Sequence, residues 1–305
     1  MKRIKRLLAG MAVLLCLPLC GCSMLAGDTA ELLSPPELSG DIAPIAAAIT
    51  ASAGGEYTLK YPSKGNFRSA VIQNDINGDG TLEAFAFYSR NENNVQSMYI
   101  NIICSENGKW VSAAQQKITA GGVERIDFCD LDGDGVQEIL VGWEIYGASE
   151  MQLGVYSFKN NRLVERTRQK YSSFVCCDLN DDGTNEALII NLNSAEQLNS
   201  AALYSLDDSG FKMLYYCELD KTVKSISEPV VSTLSSGKTA VYIDETKGIG
   251  AVTEVLFVDK NGLVNPLLNF ESRETVATLR ASGYGVTDIN GDGIAEIPVQ
   301  ESVPS

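Results

Sequence analysis

A nine-residue pattern, Asp-x-Asp/Asn-x-Asp-Gly-x-x-Glu, occurs four times and limits what this chain can fold into. It starts at Asp75 (DINGDGTLE), Asp130 (DLDGDGVQE), Asp178 (DLNDDGTNE) and Asp288 (DINGDGIAE). The starts lie 55, 48 and 110 residues apart, the last close to two periods. A period near 50 residues marks a repeat architecture, in which each unit buries its faces only by stacking on its neighbours.

Between the loops the sequence runs in short β-branched and aromatic stretches broken by Gly, Asn and Asp, which reads as all-β. The first unit offers RSAVIQ, EAFAFYS, SMYINIICS and KWVSAAQQ; the second offers RIDFC, EILVGWEIY, MQLGVYSF and RLVERTRQ. A turn follows each of the first three starts by 31–33 residues, at Asn107-Gly108, Asn160-Asn161 and Ser209-Gly210. A further turn at Asn261-Gly262 places a missing start near Val230, where EPVVSTLSSGKTAVYID keeps strand–turn–strand but lacks the acids. Four antiparallel strands per unit predict a β-propeller with blades near 66–120, 121–171, 172–223 and 224–273, and a partial fifth at 282–305. Either the chain is a fragment of a longer protein, or an N-terminal strand such as EYTLKYP completes the last blade.

The loop chemistry points to calcium, which takes six to eight oxygen ligands. Positions 1, 3 and 5 supply Asp75, Asn77 and Asp79; Asp130, Asp132 and Asp134; Asp178, Asn180 and Asp182; Asp288, Asn290 and Asp292. Position 7 supplies a backbone carbonyl (Thr81, Val136, Thr184, Ile294), and position 9 the closing carboxylate (Glu83, Glu138, Glu186, Glu296). An EF-hand needs its closing Glu at position 12. That position holds Ala86, Val141, Ile189 and Val299, and the flanks are strands, so the EF-hand is excluded. The alternative to a metal site is an ordinary polar hairpin turn. Packing three or four formal negatives into nine residues argues for a cation, up to four Ca2+ in all, with a structural role. The fully acidic second copy is expected to bind most tightly.

These residues resemble the calcium loop of FG-GAP repeats, also called VCBS repeats, found in the propeller of integrin α subunits and in bacterial surface proteins. The resemblance covers about residues 69–300. It implies that each loop joins the innermost two strands of a blade and that all the ions sit on one face. The tether and LKYPSKGNFRSA are also similar to propeller lipoproteins of Gram-positive bacteria.

Residues 1–21 read as a processing segment. Lys2, Arg3, Lys5 and Arg6 precede an apolar run, Leu7 to Leu19, too short for a comfortable membrane span. LCGC resembles a lipobox, which implies cleavage before Cys22 and lipid on Cys22. The protein is therefore expected to be exported and anchored to the outer face of the cell membrane. Residues 22–40 form a tether, 41–55 a short helix capped by Asp41, and 56–305 the propeller. Losing the leader, with its four basic residues and no acids, deepens the formal charge from −15 to −19, which disfavours nucleic acid.

The chain has no histidine, which removes His-based triads and the commonest general base. Outside the leader and Cys22, five cysteines remain: Cys104, Cys129, Cys176, Cys177 and Cys217. Their apolar settings predict buried free thiols. Cys129 and Cys177 occupy matching positions in their repeats, too far apart for easy pairing. Trp110 and Trp143 read as packing residues. The expected function is a calcium-stabilised module that binds or scaffolds a protein or glycan. The alternatives are a polysaccharide-active enzyme, which would need an acid pair outside the loops, and an accessory subunit of a membrane signalling complex.

Overall fold

The computed structural model describes residues 42–92, 95–147, 151–193, 196 and 198–300. The leader, Cys22, the tether and the Asp41 cap lie outside these residues. One helix, α1 (Ala43–Ala53), opens the described chain. The first sheet holds β1 (Thr58–Lys60), β2 (Val71–Asn74), β3 (Glu83–Glu92), β4 (Val95–Glu106) and β5 (Lys109–Ile118). The second is β6 (Gly122–Cys129), β7 (Glu138–Glu144), β8 (Met151–Lys159) and β9 (Arg162–Tyr171). The third is β10 (Ser173–Cys177), β11 (Glu186–Asn191), β12 (Ser200–Asp207) and β13 (Gly210–Glu218).

The fourth sheet contains β14 (Ser225–Ile226), β15 (Val230–Thr233), β16 (Thr239–Lys247), β17 (Gly250–Asp259) and β18 (Gly262–Val264). A hairpin of β19 (Leu268–Asn269) and β20 (Glu274–Thr275) follows, and β21 (Arg280–Ala281) adds to β17. All the pairings are antiparallel, so the protein is almost entirely β, built of consecutive blade-like sheets. The tight turns fall where the Asn-Gly pairs predict. Asn107 and Gly108 have φ of 52° and 75°, which suits the hairpin twist.

The alternation of side chains along each strand explains the stacking. On β7, Ile139, Val141 and Trp143 face the first sheet, where they meet Phe85, Phe87, Ile100 and Ile102. Leu140, on the opposite face, packs with Leu153, Phe174, Ala187 and Ile189 of the second and third sheets. Both faces are buried, so the strand reads as an unbroken apolar run. Leu188, Ile190 and Leu203 carry the stack on to Val241, Ile243 and Leu256 of the fourth sheet. Trp143 is fully buried, edge-on to Phe87 at 5.8 Å, and its Nε1 donates to Tyr156 Oη at 3.0 Å.

The two ends of the stack are covered by short segments. Helix α1 buries Ile45, Ile49 and Ala53, and Asn101 Nδ2 of β4 donates to Ser52 Oγ at 2.8 Å. EYTLKYP does not serve the last blade. Its strand β1 pairs with β3, alongside β2, and extends the first sheet. Among the described residues 282–300 there is no fifth four-stranded sheet, only the bridge Thr287↔Glu296. Val286, Ala295 and Ile297 cap the open face of the fourth sheet against Ala240, Tyr242 and Val255.

Candidate metal centre

Three of the predicted loops join strands paired with each other in one sheet: β2 to β3, β6 to β7 and β10 to β11. The position-6 glycines Gly80, Gly135, Gly183 and Gly293 have φ between 83° and 92°, a left-handed backbone that L side chains rarely adopt. The first aspartate of each loop then accepts backbone N–H groups from across the turn. Asp75 takes Gly78 at 2.9 Å and Gly80 at 2.9 Å, and Asp130 takes Gly133 at 2.8 Å and Gly135 at 2.9 Å. Asp178 takes Asp182 and Gly183, and Asp288 takes Gly291 and Gly293. The position-5 aspartates Asp79, Asp134, Asp182 and Asp292 each accept the N–H of Thr81, Val136, Thr184 and Ile294.

The closing glutamate acts as a staple in every copy. Glu83, Glu138, Glu186 and Glu296 each accept the N–H of the residue at position 2: Ile76, Leu131, Leu179 and Ile289, at 2.8–3.0 Å. In the loops with Asn at position 3, Asn77, Asn180 and Asn290 donate to both the position-5 Asp and the closing Glu. In the second, third and fourth loops the carboxylates converge. Ligand oxygens of Asp130, Asp132 and Glu138 lie within 4.8 Å of one another, as do those of Asp178, Asp182 and Glu186, and of Asp288, Asp292 and Glu296. Burial pushes the carboxyl of Glu186 up to about 7, with neighbouring Asp182 and Asp178 adding to the rise. Glu83 and Glu138 are raised for the same reason. Such a donor set of hard oxygens fits Ca2+.

The second loop differs. Lys159 Nζ pairs with Asp134, and Arg166 Nη1 reaches Asp132 Oδ2 at 3.4 Å. The hydrogen bond from Lys159 holds the Asp134 carboxyl below its usual range. Where the other loops use an asparagine amide, the all-aspartate loop draws cations from β8 and β9. Nothing in its nine residues announces this, because the partners come from other strands.

The loops also touch one another. Asn74 Nδ2, just before the first loop, donates to Gln137 Oε1 of the second at 2.7 Å, and Asn185 Nδ2 of the third donates to Asp130 O at 3.3 Å. Thr239 Oγ1, at the acid-free turn of the fourth sheet, reaches Asp181 Oδ1 at 3.2 Å. Ser232 of that sheet accepts the N–H of Ala295 and donates to Gly293 O in the fourth loop. The four loops and the acid-free turn thus line one end of the stack.

Two acidic groups outside the loops were not legible in the sequence. In a cavity of about 260 Å³, Arg125 Nη2 contacts Asp127 Oδ2 at 2.8 Å and Glu228 Oε1 at 3.1 Å. Its guanidinium carbon lies 4.5 Å from the centre of the Phe174 ring. Deeper in the fourth sheet, Glu245 and Glu254 are buried side by side. Glu254 accepts from Asn265 Nδ2 at 2.6 Å, Thr275 Oγ1 at 2.9 Å and the N–H of Asp220 at 3.1 Å. Burial, and then the Glu254 charge, raise Glu245 well above the ordinary carboxylate range.

Residues 75–141, which span the first two loops, match the FG-GAP-like repeat family. No curated protein matches the chain. Among solved structures the chain is similar to rhamnogalacturonan lyase YesW, at 11% identity and a TM-score of 0.41 over 78% of this chain and 58% of that one. It is similar to the Bacillus licheniformis rhamnogalacturonan lyase PL11 at 13% identity and a TM-score of 0.41, over 78% and 56% of the two chains. A third is the exotype rhamnogalacturonan lyase YesX, at 12% identity and a TM-score of 0.32, over 68% and 57%. The chain therefore spans less than two thirds of each of these proteins.

Proposed function

We propose that this is an exported module, anchored by lipid on Cys22 and clipped by Ca2+ in its four loops, that binds a protein partner at the end opposite those loops. The observation that carries the binding role is a set of exposed apolar residues, one on each sheet among the described residues. In each antiparallel sheet the hairpin from the second to the third long strand lies at the end away from the metal loop. Those hairpins bear Val95 (64% exposed), Tyr146 (54%), Leu198 (48%) and Ile249 (100%). A single exposed apolar residue means little, but one on every sheet at the same end supports a contact surface. Val95, Leu198 and Ile249 offer no hydrogen bonds, so they suit a protein better than a glycan.

The polysaccharide-active alternative needs an accessible acid pair. Asp127 and Glu228 share one guanidinium nitrogen, which occupies the space a scissile bond would need. Glu245 and Glu254 are sealed in the core. Both arrangements favour binding over hydrolysis.

Photo-crosslinking in intact cells tests the reading. A photoreactive residue at Tyr146 or Ile249 is expected to capture one discrete protein, and one at Leu82, at the metal end, is not. Equal capture from all three positions, or from none, refutes the assigned face. Loss of membrane association in Cys22→Ala tests the anchor, and calorimetric titration of the chelated protein with CaCl2 tests the metal.

A further inference from the structure

We propose that the cavity between β13 and the segment after β18 binds an uncharged oligosaccharide. The last strands of the first three sheets, β5, β9 and β13, run nine or ten residues. In the fourth sheet β18 stops after three, at Val264. Pro266 follows, and proline has no N–H with which to extend the ladder along β17. The chain turns away into the β19–β20 hairpin and leaves a cavity of about 510 Å³ against β13. That volume suits a small-molecule ligand.

The lining combines bare aromatic rings with polar groups. Half-exposed Tyr216 and almost fully exposed Phe270 offer ring faces to the C–H groups of a sugar, and Leu263 and Leu268 lie in the same wall. The turn that carries Phe270 is built firmly. Asn269 Oδ1 accepts the N–H of Glu271 at 3.0 Å and of Ser272 at 2.9 Å, and Asn269 O accepts that of Arg273 at 2.7 Å. Phe270 is therefore held in the open by its backbone, beside Tyr216 on the same cavity.

The polar groups select the ligand class. Glu218 Oε2 pairs with Arg273 Nε at 2.8 Å, and both side chains stay partly exposed. An acceptor beside a donor matches hydroxyl groups, each of which does both. Asn265 Nδ2 donates to Glu254 Oε1 at 2.6 Å and to Glu218 O at 3.4 Å, while its buried Oδ1 has no hydrogen-bond partner among the described residues. A ligand hydroxyl supplies the missing donor, which a purely apolar ligand would not. Among the described residues that line the cavity, Glu218 is the only charged one, and Arg273 balances it. The chain's formal charge of −15 further disfavours an acidic sugar.

The test is calorimetric titration of the full protein, in buffer containing CaCl2, with cellohexaose, xylohexaose, mannohexaose, galactohexaose and hexagalacturonate. At least one neutral hexasaccharide is expected to bind, and more tightly than hexagalacturonate. Phe270→Ala and Tyr216→Ala should each weaken that sugar about tenfold. Phe270 buries almost nothing, so its alanine variant should keep the parent's melting temperature, and a lost affinity is then not a lost fold. Val95→Ser, on the first sheet, should leave sugar binding unchanged, so the protein-binding face and this cavity are read separately. Absence of binding by all four neutral sugars, tighter binding of hexagalacturonate, or full affinity in both aromatic variants overturns the proposal.

Discussion

Replacing Glu138 with alanine tests whether the closing glutamates hold the loops without a metal. Glu138 is fully buried; its Oε2 accepts the Leu131 N–H at 3.0 Å and its Oε1 accepts the Ser157 hydroxyl at 3.1 Å. Glu138→Ala strands both donors in the core. A hydrogen bond to a charged acceptor contributes about 1.5–3 kcal/mol. Burial penalises the Glu138 carboxylate, which offsets part of the two bonds. The net loss is about 3 kcal/mol, or roughly 6–12 °C in melting temperature for a domain of this size. Glu138→Gln keeps an oxygen for Leu131 and should lose about 1 kcal/mol. The assay is a circular-dichroism melt in excess chelator, supported by urea midpoints. An alanine variant that melts within 2 °C of the parent in chelator, at roughly that precision, refutes the staple and leaves the glutamate only a ligand's role.

Three further outcomes follow from the same geometry. Glu245→Gln should flatten the alkaline side of the stability profile. Its folded-state pKa lies above the unfolded value of 4.5, so the native state keeps a proton that the unfolded chain has lost. Stability then falls by about 1.4 kcal/mol per pH unit from that value up to the folded pKa. Urea midpoints between pH 5 and 8 read the slope, and an unchanged slope in the variant refutes the assignment. Lys159→Met should raise Ca2+ affinity at the second loop several-fold by freeing Asp134, as read by calorimetry; weaker binding would show that the cation helps the site. Gly183→Ala, at a φ of 92° with open space around its Cα, should cost about 1–2 kcal/mol from backbone strain alone, measured by urea unfolding.

The sequence by itself determined the loops and the period. Both are local: Asp178 reaches Gly183 five residues away, and Gly183 is the residue that tolerates the turn. The apolar run of Ile139, Leu140, Val141 and Trp143 is a local feature too, and its burial on both faces follows from the pleat, which sends successive side chains to opposite sides. The partial fifth unit shows how local the motif is. Its loop, Asp288 to Glu296, is complete, but a local motif needs no sheet around it, and these residues instead cap the fourth sheet.

Only the tertiary structure decided which distant groups meet. Lys159 and Arg166 reach the second loop through the strand pairing of its own sheet, and Arg125 on β6 meets Glu228, just ahead of β15, only through the way neighbouring sheets are rotated against each other. That rotation is set by packing summed over whole strand faces. No short stretch of sequence carries it, whereas each loop carries its own hydrogen bonds within nine residues.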